Sequence, residues 1–309
     1  MKTPLIDRPI FMIGMPRSGT TVISEALSLH KNLGWFSNYL GKFPAFTWLA
    51  RLDRITNYPS FGWKLRGKKH QGGSFLSYLR RFLPHTDEAY SIWERCCGEK
   101  FLWDYLIGQV ASEKEKECAK NYILKILRHQ NKPRFFTKLT GPPRIEYLTS
   151  IFPQAVFMHV IRDPRAVVSS LKNVSFWKEG KGGEEPWWEN GLTKEYIVEW
   201  ERHGRSPVSL GAVQWKRVVE LTREGSQSLS QERFFEVRYE DFVENPHSTM
   251  TTIFQALTLE DSKEAHAYIS SIGEMRNMNY KFRGNLSAEE ISIIENLTRD
   301  VAKTAGYVF

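Results

Sequence analysis

Two arginines mark the chemistry this sequence could perform. Arg17 stands inside GMPRSGTT at 14–21, among the hydroxyls of Ser18, Thr20 and Thr21 and between Gly14 and Gly19. A glycine-bearing turn from strand to helix aims backbone N–H groups and a positive helix end at one point, which suits an anion. Gly14 and Gly19 keep the spacing of a nucleoside-triphosphate loop, but Thr20 stands where that loop carries its phosphate-gripping lysine. An ordinary ATPase or kinase is thereby disfavoured, and Arg17 supplies a cation from inside the loop. A tight turn with no ligand is the plainer alternative, though it leaves the density of hydroxyls unexplained. Arg162 lies in IRDPR at 161–165, where Asp163 and Pro164 suit the N-cap and first position of a helix. That places Arg162 at the carboxyl end of a strand, where open α/β sheets bind ligands. Ser170 follows Asp163 by two helical turns, so Arg162 and Ser170 could grip one phosphate from two sides. RDP by itself is equally a good helix start.

These residues need elements to hold them. Four segments read as buried strands: 10–13, 135–139, 156–161 and 234–239. Three are short apolar runs without clear alternation, as expected when both faces of a parallel sheet are covered. Helical stripes separate them, at Val22, Ile23, Ala26 and Leu27, at Ile145, Leu148 and Phe152, and at Val167, Val168 and Leu171. The alternation predicts an α/β fold, a parallel sheet flanked by helices. Residues 35–132 contain no convincing strand and read as a largely helical insert. Residues 177–209, opening on a Gly- and charge-rich run that ends at Trp187 and Trp188, read as a mobile flap. Ser287 and Glu290 form a capping-box pattern ahead of a final helix, and Gly306 sits at its stop.

Composition narrows the classes. The chain has 309 residues, 41% hydrophobic and 25% charged, which excludes disorder as its main state. Its three cysteines, Cys96, Cys97 and Cys118, contain no CxxC pair. Their number and spacing argue against a disulfide framework or structural zinc and for a reducing compartment. No apolar run approaches the ~20 residues of a membrane span, and the first residues lack a signal-peptide core, so a cytoplasmic protein is expected. Against 35 acidic residues stand 43 Lys and Arg, a net charge of +8, alongside 10 Trp, 12 Tyr and 19 Phe. Basic and aromatic together fit nucleic acid, an anionic cofactor or an aromatic-lined pocket.

PRSGTT at 16–21 resembles the 5′-phosphosulfate loop of sulfotransferases that use 3′-phosphoadenosine 5′-phosphosulfate (PAPS), in its bacterial-type form. Arg162 and Ser170, eight apart, resemble that family's 3′-phosphate pair. VRYEDF at 237–242 resembles its YED segment, whose tyrosine, here Tyr239, lies near the adenine. KFRG at 281–284 resembles the basic C-terminal loop over the 3′-phosphate, with Lys281, Arg283 and Gly284. The resemblance runs from Pro9 to Tyr307. It implies a single P-loop-like sulfotransferase domain over 1–309 that binds PAPS through Arg17, Ser18, Gly19, Thr20 and Thr21. The sulfuryl group would pass to an acceptor hydroxyl or amine of a small molecule or glycan, leaving 3′-phosphoadenosine 5′-phosphate (PAP). Neither a metal nor nucleic acid is expected.

In-line transfer of this kind leaves the protein mainly to position groups and stabilise charge on the departing phosphate. Arg17 is the first candidate, and Lys138, ahead of the GPP turn at 141–143, the second; an exposed strand-end lysine is its plainer role. The acceptor also needs a base. Many relatives carry an acid or histidine soon after the loop, but GWFSNY at 34–39 has no carboxylate. Glu88, with Tyr90 and Trp93, matches a pattern common in related sequences and is favoured, with His85 second. A surface helix cap would account for Glu88 equally well. The alternatives are a nucleotide-dependent kinase with a degenerate loop and a non-catalytic polyanion or nucleic-acid binder, although the basic residues are spread along the chain. A thermal-shift titration separates them: PAP should stabilise the protein and ATP with Mg2+ should not, whereas a kinase would show the reverse.

Overall fold

The computed structural model describes residues 6–58, 82–174 and 185–309. Strand β1 (Ile10–Gly14) is buried at every position, as an apolar run covered on both faces must be. Its side chains alternate between two cores. Ile10 and Met12 pack with Ile23, Leu27 and Phe254, while Phe11 and Ile13 pack with Phe36, Trp93 and Phe101. Around it lie β2 (Leu33–Trp35), β3 (Arg134–Thr140), β4 (Val156–Ile161) and β5 (Phe234–Arg238). All pairings are parallel, in the order β2-β3-β1-β4-β5. The chain passes from β1 to one side and later returns to the other, so the strand order reverses at β1. Open α/β sheets hold ligands beyond the carboxyl ends of the strands at such a point. This is a P-loop-like α/β fold.

Strand β2 is absent from the sequence-based expectation, and Trp35, placed there at the start of the insert, ends it. Three residues are too few to show a period. The strand exists because Leu33 and Trp35 extend the edge of β3, opposite Arg134 and Phe136. Gln130 fixes its end, accepting from the Trp35 N–H at 2.9 Å and donating to its carbonyl at 2.7 Å. The described residues from 38 to 130 then form helices and turns, among them Tyr90–Cys97 and Glu113–Gln130.

The expectation that the cysteines stay unpaired is not met. Cys96 and Cys118 form a disulfide across those two helices, with Cα atoms 5.2 Å apart, and only Cys97 is left as a buried free thiol. Spacing along the chain carried no sign of this pair because tertiary packing of the helices brings it together. The flap read at 177–209 is described only in part. Its first part, 177–184, lies outside the described residues. Beyond it Trp188 is buried, Lys194–Arg202 is a helix, and the helix Pro207–Ser226 begins inside the proposed boundary. No helix among the described residues is long and apolar enough to cross a membrane.

The β4–β5 junction carries a titratable pair. His159 and Glu236 face each other across the strands, Nδ1 to Oε1 at 2.8 Å, and Arg223 Nη2 lies 2.9 Å from the other carboxylate oxygen. Partial burial opposes the Glu236 charge, but the hydrogen bonds and charges of His159 and Arg223 outweigh it and hold the carboxyl at about 2. A depressed folded-state value gives stability that is present above the unfolded carboxyl value and lost as pH falls towards the folded one. Urea unfolding should therefore show wild type ahead of Glu236→Gln by about 1 kcal/mol at pH 7, after allowance for solvent screening. The gap should close between about pH 4.5 and 2. A gap independent of pH would remove the charge from this explanation.

Candidate active site

The turn after β1 is built from residues that tolerate unusual backbone. Ser18 N–H donates to the Met15 carbonyl at 3.2 Å, with Arg17 at φ 73° and Gly19 at φ 82° on either side. A left-handed arginine costs on the order of 1 kcal/mol, a conformation that persists where surroundings enforce it. Gly19 is required twice over. Beyond its φ, a Cβ there would lie 2.2 Å from the ring of Tyr239. The helix Thr20–Leu27 then starts with no side-chain cap on its first N–H groups, which are left for an anion.

Arg162 leaves β4 and closes over this turn. Its Nη1 donates to the Arg17 carbonyl at 2.9 Å and its Nε to Asn279 Oδ1 at 2.9 Å, while its guanidinium lies 4.2 Å from the Tyr239 ring centroid. Glu240 organises the other side, accepting from Asn279 Nδ2 at 2.6 Å, from the Asp163 N–H at 3.1 Å and from the Tyr307 hydroxyl at 2.8 Å. Burial pulls Arg162 below the ordinary arginine range, and Tyr239 and Glu240 act against that pull. The sequence assigns no role to Asn279, and none to Glu240 beyond its place in the YED segment, because both act through Arg162, which they hold.

A cavity of about 510 Å³ opens beside this assembly, lined by Arg17, Thr20, Arg162, Ser170, Tyr239 and Lys281 among others. Gly19 and Thr21 also reach it. Arg17 Nε donates to Ser170 Oγ at 2.9 Å, so the loop cation and the helix hydroxyl stand at one place. Ser18 is not on the lining, but its Oγ is buried with no hydrogen-bond partner. Arg283 and Gly284 are not brought in. Arg283 lies over the Phe282 ring at 5.3 Å, and Met278, Phe282 and Asn285 form that wall. Ser169 and Asn173 on the helix Pro164–Leu171 and just beyond it also line the cavity. With Ala166 and Ser170 they occupy one face at helical spacing, a small and polar stripe that was open to view in the sequence.

A second cavity, of about 500 Å³, shares Arg17, Thr20 and Thr21 with the first. Its far side holds Glu88 and Lys138, with Glu88 Oε1 3.4 Å from Lys138 Nζ. Thr140 Oγ1 donates to the Glu88 carboxylate at 3.0 Å, and Tyr90 donates its hydroxyl to the Thr140 carbonyl at 2.5 Å. Burial, and then the neighbouring Glu88 charge, raise the Tyr90 phenol well above its ordinary range, so it is a neutral donor there. His85 is not brought to this wall. Its Nδ1 lies 3.3 Å from the Leu83 carbonyl, and its backbone pairs with Asn38. The segment is anchored by Glu25 instead, whose buried Oε1 accepts from Thr86 N–H at 3.1 Å and Thr86 Oγ1 at 2.9 Å. Tyr90, Leu102, Trp103, Trp187 and Trp188 complete the lining. Trp188 packs so closely on Gly141 that a Cβ there would be 2.6 Å from its ring. No group of three His, Cys, Asp or Glu residues suited to a metal occurs among the described residues.

Residues 108–263, half the chain, match the family model described as Sulfotransferase family. This span contains β3, β4, β5 and Arg162, whereas the loop at 14–21 lies before it. The omega-hydroxy-beta-dihydromenaquinone-9 sulfotransferase Stf3 of Mycobacterium bovis and of Mycobacterium tuberculosis is 22% identical over 344 aligned positions, covering 99% of this chain and 77% of the relative. Among solved structures, sulfotransferase STF9 from Mycobacterium avium superposes with a TM-score of 0.59 at 18% identity, over 97% of this chain and 77% of that one. The sulfotransferase domain from the curacin biosynthetic pathway gives a TM-score of 0.53 at 14% identity, over 99% of this chain and 100% of that domain.

Proposed function

This chain belongs to the sulfotransferase family, and from that premise we propose that it moves the sulfuryl group of PAPS to a hydroxyl on an apolar acceptor, releasing PAP. One observation carries the proposal: two cavities of similar size meet at Arg17, Thr20 and Thr21. A group held at that junction is reachable by a donor from one side and an acceptor from the other. The residues of the first cavity suit a doubly phosphorylated nucleotide. Arg162, Ser170 and Lys281 would hold the 3′-phosphate, and Tyr239 offers a ring near the base. The turn at 14–21 would take the 5′-phosphosulfate on its N–H groups and hydroxyls, with the orphaned Ser18 Oγ beside them.

Transfer then follows from charge. The acceptor oxygen attacks sulfur while the bond from sulfur to the 5′-phosphate oxygen breaks, and the electron pair stays with the phosphate. Arg17 opposes the negative charge that grows there, an interaction stronger in the transition state than before it. Among the described residues that line the second cavity, Glu88 is the only carboxylate, and it accepts the proton from the acceptor hydroxyl. Lys138, 3.4 Å from it, adds positive charge on the same side.

The acceptor class is supported by where the polar groups lie. Arg17, Thr20, Thr21, Glu88, Lys138 and Thr140 offer hydrogen bonds on the cavity lining, while Leu102 and the indoles offer chiefly apolar surface. One hydroxyl at the polar end, with an apolar body against Leu102 and the indoles, matches that division. The name of the mycobacterial relative, with a single omega-hydroxyl on a menaquinone, describes such a molecule. Assay of PAPS turnover across long-chain and prenyl alcohols, phenols, sugars and amines should favour the apolar alcohols; preference for sugars would overturn the acceptor assignment. Glu88→Gln should lower kcat by about 10²–10⁴-fold and abolish the acidic limb of the pH–rate profile. Persistence of that limb would assign the base elsewhere.

A further inference from the structure

Residues Thr47–Asn57 form a 3₁₀ helix, in which every third side chain shares a face. Ala50, Asp53 and Thr56 make its buried face. The other two columns point outward. One runs Leu52, Ile55 and Tyr58, and the other Trp48, Arg51 and Arg54. Phe43 and Phe46 extend the apolar surface upstream. Of the twelve large apolar side chains that stand exposed among the described residues, six fall within 43–58, so this is a patch rather than scatter.

The exposed charges of this segment itself have one sign, although Glu264 lines the cavity beside Arg54 and Tyr58. Lys42, Arg51 and Arg54 are exposed, whereas Asp53, the only acid in 42–58, is 2% exposed and accepts from Gln130 Nε2 at 2.7 Å. Arg54 is held with its Nε on the His129 carbonyl at 2.6 Å, which fixes the helix against the body of the protein. Exposed aromatic and aliphatic side chains interleaved with cations, and with no outward acid, match the headgroup boundary of an anionic bilayer. A second copy of the chain fits poorly. A two-fold contact through this face would set Arg51 and Lys42 of each copy against the same cations of the other, with no outward acid on the segment to receive them.

We propose that residues 42–58 form a membrane-docking face that binds anionic lipid surfaces. Trp48, Leu52, Ile55 and the two phenylalanines enter the acyl boundary while Lys42 and Arg51 meet lipid phosphates. The face is joined to the base. Helix Asn38–Lys42 leads directly into it, Ser91 Oγ donates to the Gly41 carbonyl at 2.7 Å, and Asn38 N–H donates to the His85 carbonyl at 3.0 Å. Those bonds tie the docking segment to the stretch that carries Glu88 and Tyr90. Delivery of a membrane-dissolved acceptor to the second cavity is the consequence, and that consequence alone rests on the apolar-acceptor reading.

The test is flotation of the full chain with vesicles of phosphatidylglycerol and phosphatidylcholine, and with phosphatidylcholine alone. Wild type should float with the anionic vesicles, and increasingly less so as salt rises. The double variant Leu52→Ser/Ile55→Ser and the single variant Arg51→Glu should each lose binding, the former by about tenfold or more. PAPS turnover with a short, water-soluble alcohol should stay at the wild-type rate in both, which also shows that they fold. Absence of wild-type binding, equal binding by the variants, or insensitivity to salt would overturn the proposal. So would dissociation of a wild-type dimer by the double variant with vesicle binding unchanged, which would mark an interface between copies. If no protein turns over PAPS, the assigned reaction fails while the flotation result still decides the docking face.

Discussion

A buried guanidinium holds this site together. Arg162 is fixed to the end of β4 by the strand itself, and its Nη1 reaches the carbonyl of Arg17 in the turn after β1. That bond spans two neighbouring strands and sets the turn's height above the sheet. The opposing side of Arg162 is occupied by Asn279, which Glu240 holds in place, and by the ring of Tyr239. A charge so placed needs every one of these partners, because an unpaired buried guanidinium would cost several kcal/mol. Glu240 in turn draws in the Asp163 N–H and the Tyr307 hydroxyl, so β4, β5 and the C-terminal segment converge on one ion. The turn can hold Arg17 in a left-handed conformation because this frame surrounds it.

The two cavities follow from that frame. One lies where the turn, β4 and β5 converge, the other between the turn, the end of β3 and the segment of Glu88. Their shared wall is the first turn of the helix Thr20–Leu27 with Arg17 before it. In the proposed reaction, donor and acceptor would approach the same few atoms from opposite sides, the geometry an in-line displacement requires. Helix Thr20–Leu27 does a second job through Glu25, which grips Thr86 and so fixes the base segment to the helix that begins at the anion turn. The walls of both cavities thus depend on one eight-residue helix.

Residues of both cavities were legible in the sequence, Arg17, Arg162 and Ser170 in one and Glu88, Tyr90 and Lys138 in the other, whereas the contacts that hold them were not. Arg17, Arg162 and Ser170 lie in short motifs whose strand–turn–helix context is local, so their convergence followed once a parallel sheet was inferred. Lys281 came with the resemblance, as did Arg283 and Gly284, but the helical turn at 281–285 sets Lys281, Phe282 and Asn285 on the cavity wall and leaves Arg283 and Gly284 off it. Asn279 and Glu240 act through Arg162, a relationship with no signature in spacing. Among the base candidates, His85 and Glu88 are three residues apart, and only the pairing of Asn38 with His85 shows which faces the cavity. The disulfide and β2 failed for a common reason: each depends on a partner distant in the chain rather than on a local pattern.

In the proposed reaction Arg17 stabilises charge at the meeting point of donor and acceptor. PAPS turnover by Arg17→Ala, read beside its affinity for PAP, tests that most directly; Arg17→Gly, which suits the φ of 73° at this position, separates charge from backbone strain. Loss of one such group costs about 10²–10³ in rate. Both variants should lose turnover on that scale while retaining their fold and losing much less in PAP affinity. Near-normal turnover in Arg17→Gly would contradict the account.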